Sequence, residues 1–294
     1  MMDMIIITLR LFIFLLAPCI LLSQAEAAEV VIIADTQLKP VAEIISGIRK
    51  TLNTSVKTFA HAEVKGKLKA VVDKEGAKVV IALGREALDD ALQLPPDIPI
   101  IYDLVVTPPQ ISRPNTTGFY MATPVMEYVD LIKENLRSLK RIVVVGSREQ
   151  LNILAREENP QLVSYSVRNT FEFVNTLKQL NNADAILLLP DTSLLTAAAM
   201  EEIYLLSFRK GIPLFGISER HVKQGALLAL VVDLVSVGKR IGAYASKAIK
   251  GINVGQIPPS PPNRFDLYVN TNTAIKMGIH IPDELIRSAK RSYP

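Results

Sequence analysis

Polar residues recur at the ends of short apolar runs in this chain, and they could carry the chemistry of a solute site. Ala185–Leu189 runs into Pro190-Asp191-Thr192-Ser193, Ile212–Gly216 into Ser218-Glu219, and Ala226–Val232 into Asp233. Near the N-terminus, Val30–Ala34 runs into Asp35-Thr36-Gln37, Val79–Leu83 into Gly84-Arg85-Glu86, and Ile98–Tyr102 into Asp103. Carboxylates so placed can hold an ammonium group, and Arg85 or the Gly84 amide can hold a carboxylate, through charge-assisted hydrogen bonds. Tyr102, with Phe119 or Tyr120, could stack on an aromatic solute. Each residue also has a local alternative. Asp191 suits an Asx-turn or a helix cap, Glu219 the first turn of a helix, and Asp233 an N-cap. Tyr102 suits a core position, and Gly84-Arg85 an ordinary turn.

Catalysis and nucleic-acid binding find little support. His61, His221 and His280 form no ligand-spaced pair, and neither G-x-S-x-G nor H-E-x-x-H occurs. Asp191 and Glu219 could act as the carboxylate pair of a hydrolase. However, the chain has no tryptophan to serve as a sugar platform. The 33 basic and 29 acidic residues are interspersed, so they form no phosphate track. No glycine-rich nucleotide loop is present, and the reading calls for no metal or cofactor.

The elements between these run ends alternate in period. Leu38–Leu52 carries Val41, Ile44, Ile45, Ile48 and Leu52 on one stripe, and Leu194–Lys210 is helical up to a stop at Gly211. Glu63–Glu75 reads as one helix ended by Gly76. Asn115–Phe119 reads as a polar turn, and Asp233–Gly251 as a long helix. Short apolar runs alternating with amphipathic helices predict parallel sheets with helices on both faces. Such sheets bind ligands outside the carboxyl ends of their strands.

The blocks ADAILLLPD, KGIPLFGISERHVKQGALLALVVDLVSVGKRIG and FDLYVNTNTAIKMGIHIPDEL resemble the substrate-binding proteins of one ABC-transporter family. The resemblance is sharpest over Ala183–Leu285. It implies an α/β fold of two Rossmann-like lobes, similar to type 1 periplasmic binding proteins, joined by a multi-crossing hinge. Some members of that family bind aromatic amino acids. The N-terminal lobe would comprise residues 28–118 and 233–256, and the C-terminal lobe residues 119–232 and 263–294. Residues 257–262, in the proline-rich stretch Gln256–Asn263, would form the last crossing. Gly118, Asp233 and Pro259 would then be hinge residues, and Asp35, Gly84, Arg85, Tyr102, Asp103, Asp191, Thr192 and Glu219 would line the cleft. Two segments depart from the family pattern. Asp103–Pro109 stands where members have a Ser/Thr-Asp-Pro loop, and Glu149–Gln161 is too short for the usual full helix.

The resemblance implies a monomer that captures a small solute, an amino acid being the first expectation, for an inner-membrane ABC permease and its ATPase. An exported ligand-sensing domain without a transport role is the alternative. Ile5–Leu22 is nearly all apolar and is followed by Ala25-Glu26-Ala27, which reads as a signal peptide over residues 1–27 and a periplasmic mature chain. Pro18 directly before Cys19 fits a lipoprotein cleavage box poorly. Cleavage would remove Cys19, the single cysteine, leaving the mature chain without disulfide or thiolate chemistry.

Overall fold

The computed structural model describes residues 28–106, 109–155 and 158–294. The signal peptide expected over residues 1–27, with Cys19, lies outside the described residues. The first lobe is built from β1 (Val30–Ala34), α1 (Lys39–Arg49), β2 (Val56–Phe59), α2 (His61–Val64), α3 (Leu68–Glu75), β3 (Val79–Leu83), α4 (Arg85–Ala91), β4 (Ile100–Val105) and β5 (Thr116–Tyr120). The second continues with α5 (Val125–Asn135), β6 (Ile142–Gly146), α6 (Arg148–Leu154), β7 (Leu162–Ser166), α7 (Thr170–Gln179), β8 (Ala185–Leu188), α8 (Ala197–Lys210), β9 (Leu214–Gly216), α9 (Glu219–Gln224) and β10 (Leu228–Val232). The chain then adds α10 (Leu234–Ile249), β11 (Phe265–Asn270), α11 (Thr271–Met277), α12 (Asp283–Ser288) and β12 (Arg291–Tyr293).

The first sheet has the order β2-β1-β3-β4-β5 and is parallel throughout. Every residue of β1 and β3 is buried, as helices on both faces require. The second sheet has the order β12-β11-β10-β9-β8-β6-β7. It repeats the same parallel pattern from β7 to β10 and adds β11 antiparallel to β10. Each sheet has a core on each face. In the first lobe, α1 and α10 cover one face and α2, α3 and α4 the other.

Helix α10 follows the last parallel strand of the second sheet, yet it packs on α1 in the first lobe. Val237, Ile241, Ala245 and Ala248 join Ile44 and Ile48 in one buried cluster. Glycine makes the approach possible. A methyl group on Gly238 would collide with the Ile44 carbonyl and the Gly47 Cα, and one on Gly47 would collide with the Val235 carbonyl. The return of α10 obliges the chain to cross between the sheets after β5, after β10, and again before β11.

Several elements differ from the sequence expectation. The helix expected over Glu63–Glu75 breaks at Gly66, whose φ is +71°. Asn115–Phe119 is not a turn. Asn115 takes φ +57°, and Thr116–Tyr120 then forms an edge strand that carries Phe119 and Tyr120 into the first sheet. Gly118 lies inside that strand, where the Tyr102 ring and carbonyl fill the space a Cβ would need. Strand β4 begins at Ile100 and continues through a register shift at Leu104, which has φ +58°. Strand β12 had no periodic signal.

Gly238→Ala is expected to cost about 1–3 kcal/mol, the usual scale of overpacking. Lys239→Ala, on the exposed side of the same helix, should change stability by less than about 0.5 kcal/mol. Urea unfolding measures both, and equal curves would contradict the close helix contact.

Candidate functional site

In each sheet the chain leaves the first parallel strand toward one face and the third strand toward the other, which opens a crevice at their carboxyl ends. In the first lobe that crevice lies between the ends of β1 and β3, at Asp35 and Gly84. In the second it lies between the ends of β6 and β8, at Gly146-Ser147 and Leu189–Asp191. Asp35 is exposed, and its Oδ1 accepts the Gln37 amide at 3.1 Å. Gly84 opens α4 at φ +105° with free space where a Cβ would stand, and its amide donates to the Asp103 carbonyl at 2.9 Å. Arg85 is exposed and lies 3.1 Å from Asp89. Leu38 and Val106, which follow β1 and β4, expose 52% and 41% of their surface, an apolar rim to the same edge.

In the second lobe, Asp191 makes an Asx-turn, with Oδ1 accepting from the Ser193 amide at 3.0 Å and its hydroxyl at 2.5 Å. Thr192 beside it is exposed. The cap of α8 is Thr196, not Asp191. Asp233 caps α10 through the Ser236 amide and hydroxyl at 3.0 and 2.7 Å, and its amide donates to Arg264. Burial raises the Asp233 carboxyl, but the bonds from Ser236 and Val235 outweigh it and hold the group below its ordinary value. The crossing after β10 and the crossing before β11 thus meet at Asp233, and Pro259 lies exposed on the latter, next to Ser260, which bridges Phe119.

Three expected cleft residues, and the stacking candidate Phe119, are not brought together with the rest. The Glu219 carboxylate is engaged by Tyr293 and by Arg291 of β12, and by Lys223 at 3.2 Å. The Tyr293 bond foremost holds it below the ordinary carboxylate range. Tyr102 is a core residue, and burial raises its phenol to about 12. Phe119 is fully buried and stacks on Tyr244 at 5.3 Å. Asp103 is fully buried, and neither carboxylate oxygen has a hydrogen-bond partner. Burial drives its pKa from 3.8 up to about 7, against weaker opposing effects of the Leu104 amide and the Arg240 charge.

One cavity of about 550 Å³ is walled by both lobes. The first lobe supplies Arg85, Asp89 and Leu92 from α4 and its end, with Pro109, Gln110 and Ile111 from the loop after β4. The second supplies Glu149, Asn152 and Ile153 from α6. Glu149 and Asn152 lie outside the strand ends from which the cleft residues are expected. Their spacing of three on the helix that opens at a strand end was the available signal. Gln150 was missed too. It is buried beside Gly146 and Leu189, with its amide oxygen unpartnered.

Comparison with known proteins gives a consistent result. The family profile described as ABC transporter substrate binding protein matches residues 47–292. A tyrosine-binding protein of Clostridioides difficile is 24% identical over 223 residues, covering 70% of this chain and 64% of that protein. An uncharacterized protein of Rickettsia prowazekii is 25% identical over 163 residues, covering 55% of this chain and 52% of its own length. The chain therefore spans less than two thirds of either curated relative. Among solved structures, a ligand-free, open substrate binding protein with adhesive properties from Clostridium difficile has a TM-score of 0.67 at 17% identity, covering 91% of this chain and 99% of that one. A domain from Streptococcus pneumonia in complex with L-Trp has a TM-score of 0.56 at 19% identity, covering 90% and 99%. These likenesses establish the type 1 periplasmic-binding-protein fold.

The raised pKa of Asp103 has a consequence for stability. Below pH 3.8 both folded and unfolded chains keep this proton. Between 3.8 and about 7 the unfolded chain releases it while the folded chain retains it, so stability falls as pH rises and levels off above 7. Asp103→Asn is expected to remove a slope of about 1 kcal/mol per pH unit within that window. Urea midpoints at several pH values measure it, and parallel profiles for the two proteins would contradict the assignment.

Proposed function

The chain belongs to the ABC transporter substrate-binding protein family, and we propose that it captures an amino acid with an apolar or aromatic side chain between its lobes and delivers it to an inner-membrane permease with its ATPase. The observation that carries this reading is the cavity with Arg85 on one wall and Glu149 on the other. A zwitterion needs both signs of charge at once. The Arg85 guanidinium offers a fork to the carboxylate, while Glu149 and the Asn152 amide oxygen accept from the ammonium. Leu92, Ile111 and Ile153 give an apolar wall for the side chain, and the volume lies within the usual range for small-molecule sites.

Tyrosine and tryptophan are the first candidates, since the names of a relative and of a structural neighbour carry them. The reading is one of capture without catalysis, in a periplasmic protein released from its leader. Asp35, Asp191 and Thr192 complete the polar edge around the seat, with Asp233 and the crossing at Pro259 on the hinge side.

A thermal-shift panel of amino acids, peptides, sugars and polyamines tests the ligand class, because a ligand bound only by the folded state raises apparent stability. Amino acids should raise the melting temperature. In calorimetry Arg85→Ala should then weaken binding by about 1.5–3 kcal/mol, the scale of a charged hydrogen bond. A response to polyamines or sugars alone would overturn the amino-acid reading. Loss of labelled amino-acid uptake on deletion, restored by the intact chain, tests delivery against sensing.

A further inference from the structure

Asp103 is a fully buried carboxyl that the proposed solute seat leaves unused. By strand alternation it shares a sheet face with Ile101, the face covered by α1 and α10. Beside it lie Leu83 on β3 and Gly84 just after it, Phe119 on β5 and Leu104 next in the chain, and α1 packs Val41, Ile44 and Ile48 on this face, none of which titrates. From α10 the charge that acts on it is Arg240, which is not within ion-pairing distance. Asp233, at the cap of the same helix, is held by Ser236.

Arg240 is occupied elsewhere. Its Nη1 donates to the Pro261 carbonyl at 3.2 Å and the Asn263 Oδ1 at 3.3 Å, and its Nη2 to the Ser260 hydroxyl at 3.1 Å. The guanidinium also lies over the Phe119 ring, 4.5 Å from its centroid. One cation thus pins the last interlobe crossing to the edge strand of the first sheet, next to the strand that carries Asp103. A buried carboxylate without a partner is costly, and a guanidinium is the group best able to satisfy it.

We propose that Asp103 and Arg240 form a proton-controlled hinge lock: with Asp103 neutral, Arg240 stays on the 260–263 crossing, and with Asp103 ionised, Arg240 is drawn to the carboxylate and the crossing is released. The lock rests on the two-lobed, hinged reading of the chain and regulates the same cleft, but it needs no bound solute. The conformation described here, with both carboxylate oxygens unpartnered and the crossing pinned, is the one the lock assigns to neutral Asp103.

Paired spin labels test this on a Cys19→Ser background, with one label at Lys69→Cys in the first lobe and one at Arg209→Cys in the second, both exposed positions. In the parent the interlobe distance distribution should be narrow at pH 5.5 and broader at pH 8.5, with a midpoint near 7. Asp103→Asn should keep the narrow distribution at both, and Arg240→Gln the broad one at both. If Asp103→Asn does not fold, the pH response of Arg240→Gln decides alone. A parent distribution unchanged by pH, or a pH response retained in either variant, would overturn the lock. The labels are read without solute, so this outcome is separate from that of the binding panel.

Discussion

The contact between α1 and α10 is the constraint from which the rest of the architecture follows. Gly47 and Gly238 let two helices approach with backbone against backbone, and Ile44, Ile48, Val237 and Ile241 seal the contact. Because α10 is encoded after the second parallel sheet, the first lobe cannot be completed until the chain has built most of the second. Three interlobe segments result, and they restrict relative motion toward opening and closing. The cavity between α4 and α6 lies where that motion changes the spacing of its walls.

The charged residues fall into two groups. Glu219 and Asp191 have satisfied local geometry, the former on β12 and the latter in its own turn. Such bonds fix loops at the strand ends and leave little capacity for a solute. Arg85 has its Nε on Asp89 and lines a cavity whose opposite wall carries Glu149. Binding strength in such a cleft grows as closure removes water around these charges, since their attraction is far weaker in bulk solvent. Asp103 shows the opposite case, a carboxyl already stripped of water and therefore held neutral over most of the acidic range.

Strands packed on both faces were legible in the sequence because burial on both sides demands continuous apolar runs. Val30–Ala34 and Val79–Leu83, buried at every residue, coincide with β1 and β3. The edge strand β5 was not legible for the converse reason. Thr116–Tyr120 looks like a turn because Asn115 and Gly118 are turn residues, yet here one supplies a positive φ and the other makes room for a tyrosine ring. Strand-end logic placed Asp35, Gly84, Arg85 and Asp191 where the strands end, but not which of them have side chains already engaged. Glu219 depends on a strand more than seventy residues away in the chain. Glu149 and Asn152 carry a local signal in their spacing on a helix that opens at a strand end, but that they stand across a cavity from Arg85 depends on how one lobe faces the other, which no local pattern encodes.

Hydrogen exchange with and without the amino acid that raises the melting temperature most tests the central claim directly, because it reports where the solute binds. Slowed exchange is predicted together in residues 85–92, 109–111 and 148–154, the two walls of one cavity. Protection confined to a single lobe, or to the groove of about 590 Å³ that Met200, Arg220 and His221 help to line between α8 and α9, would contradict a solute held between the lobes.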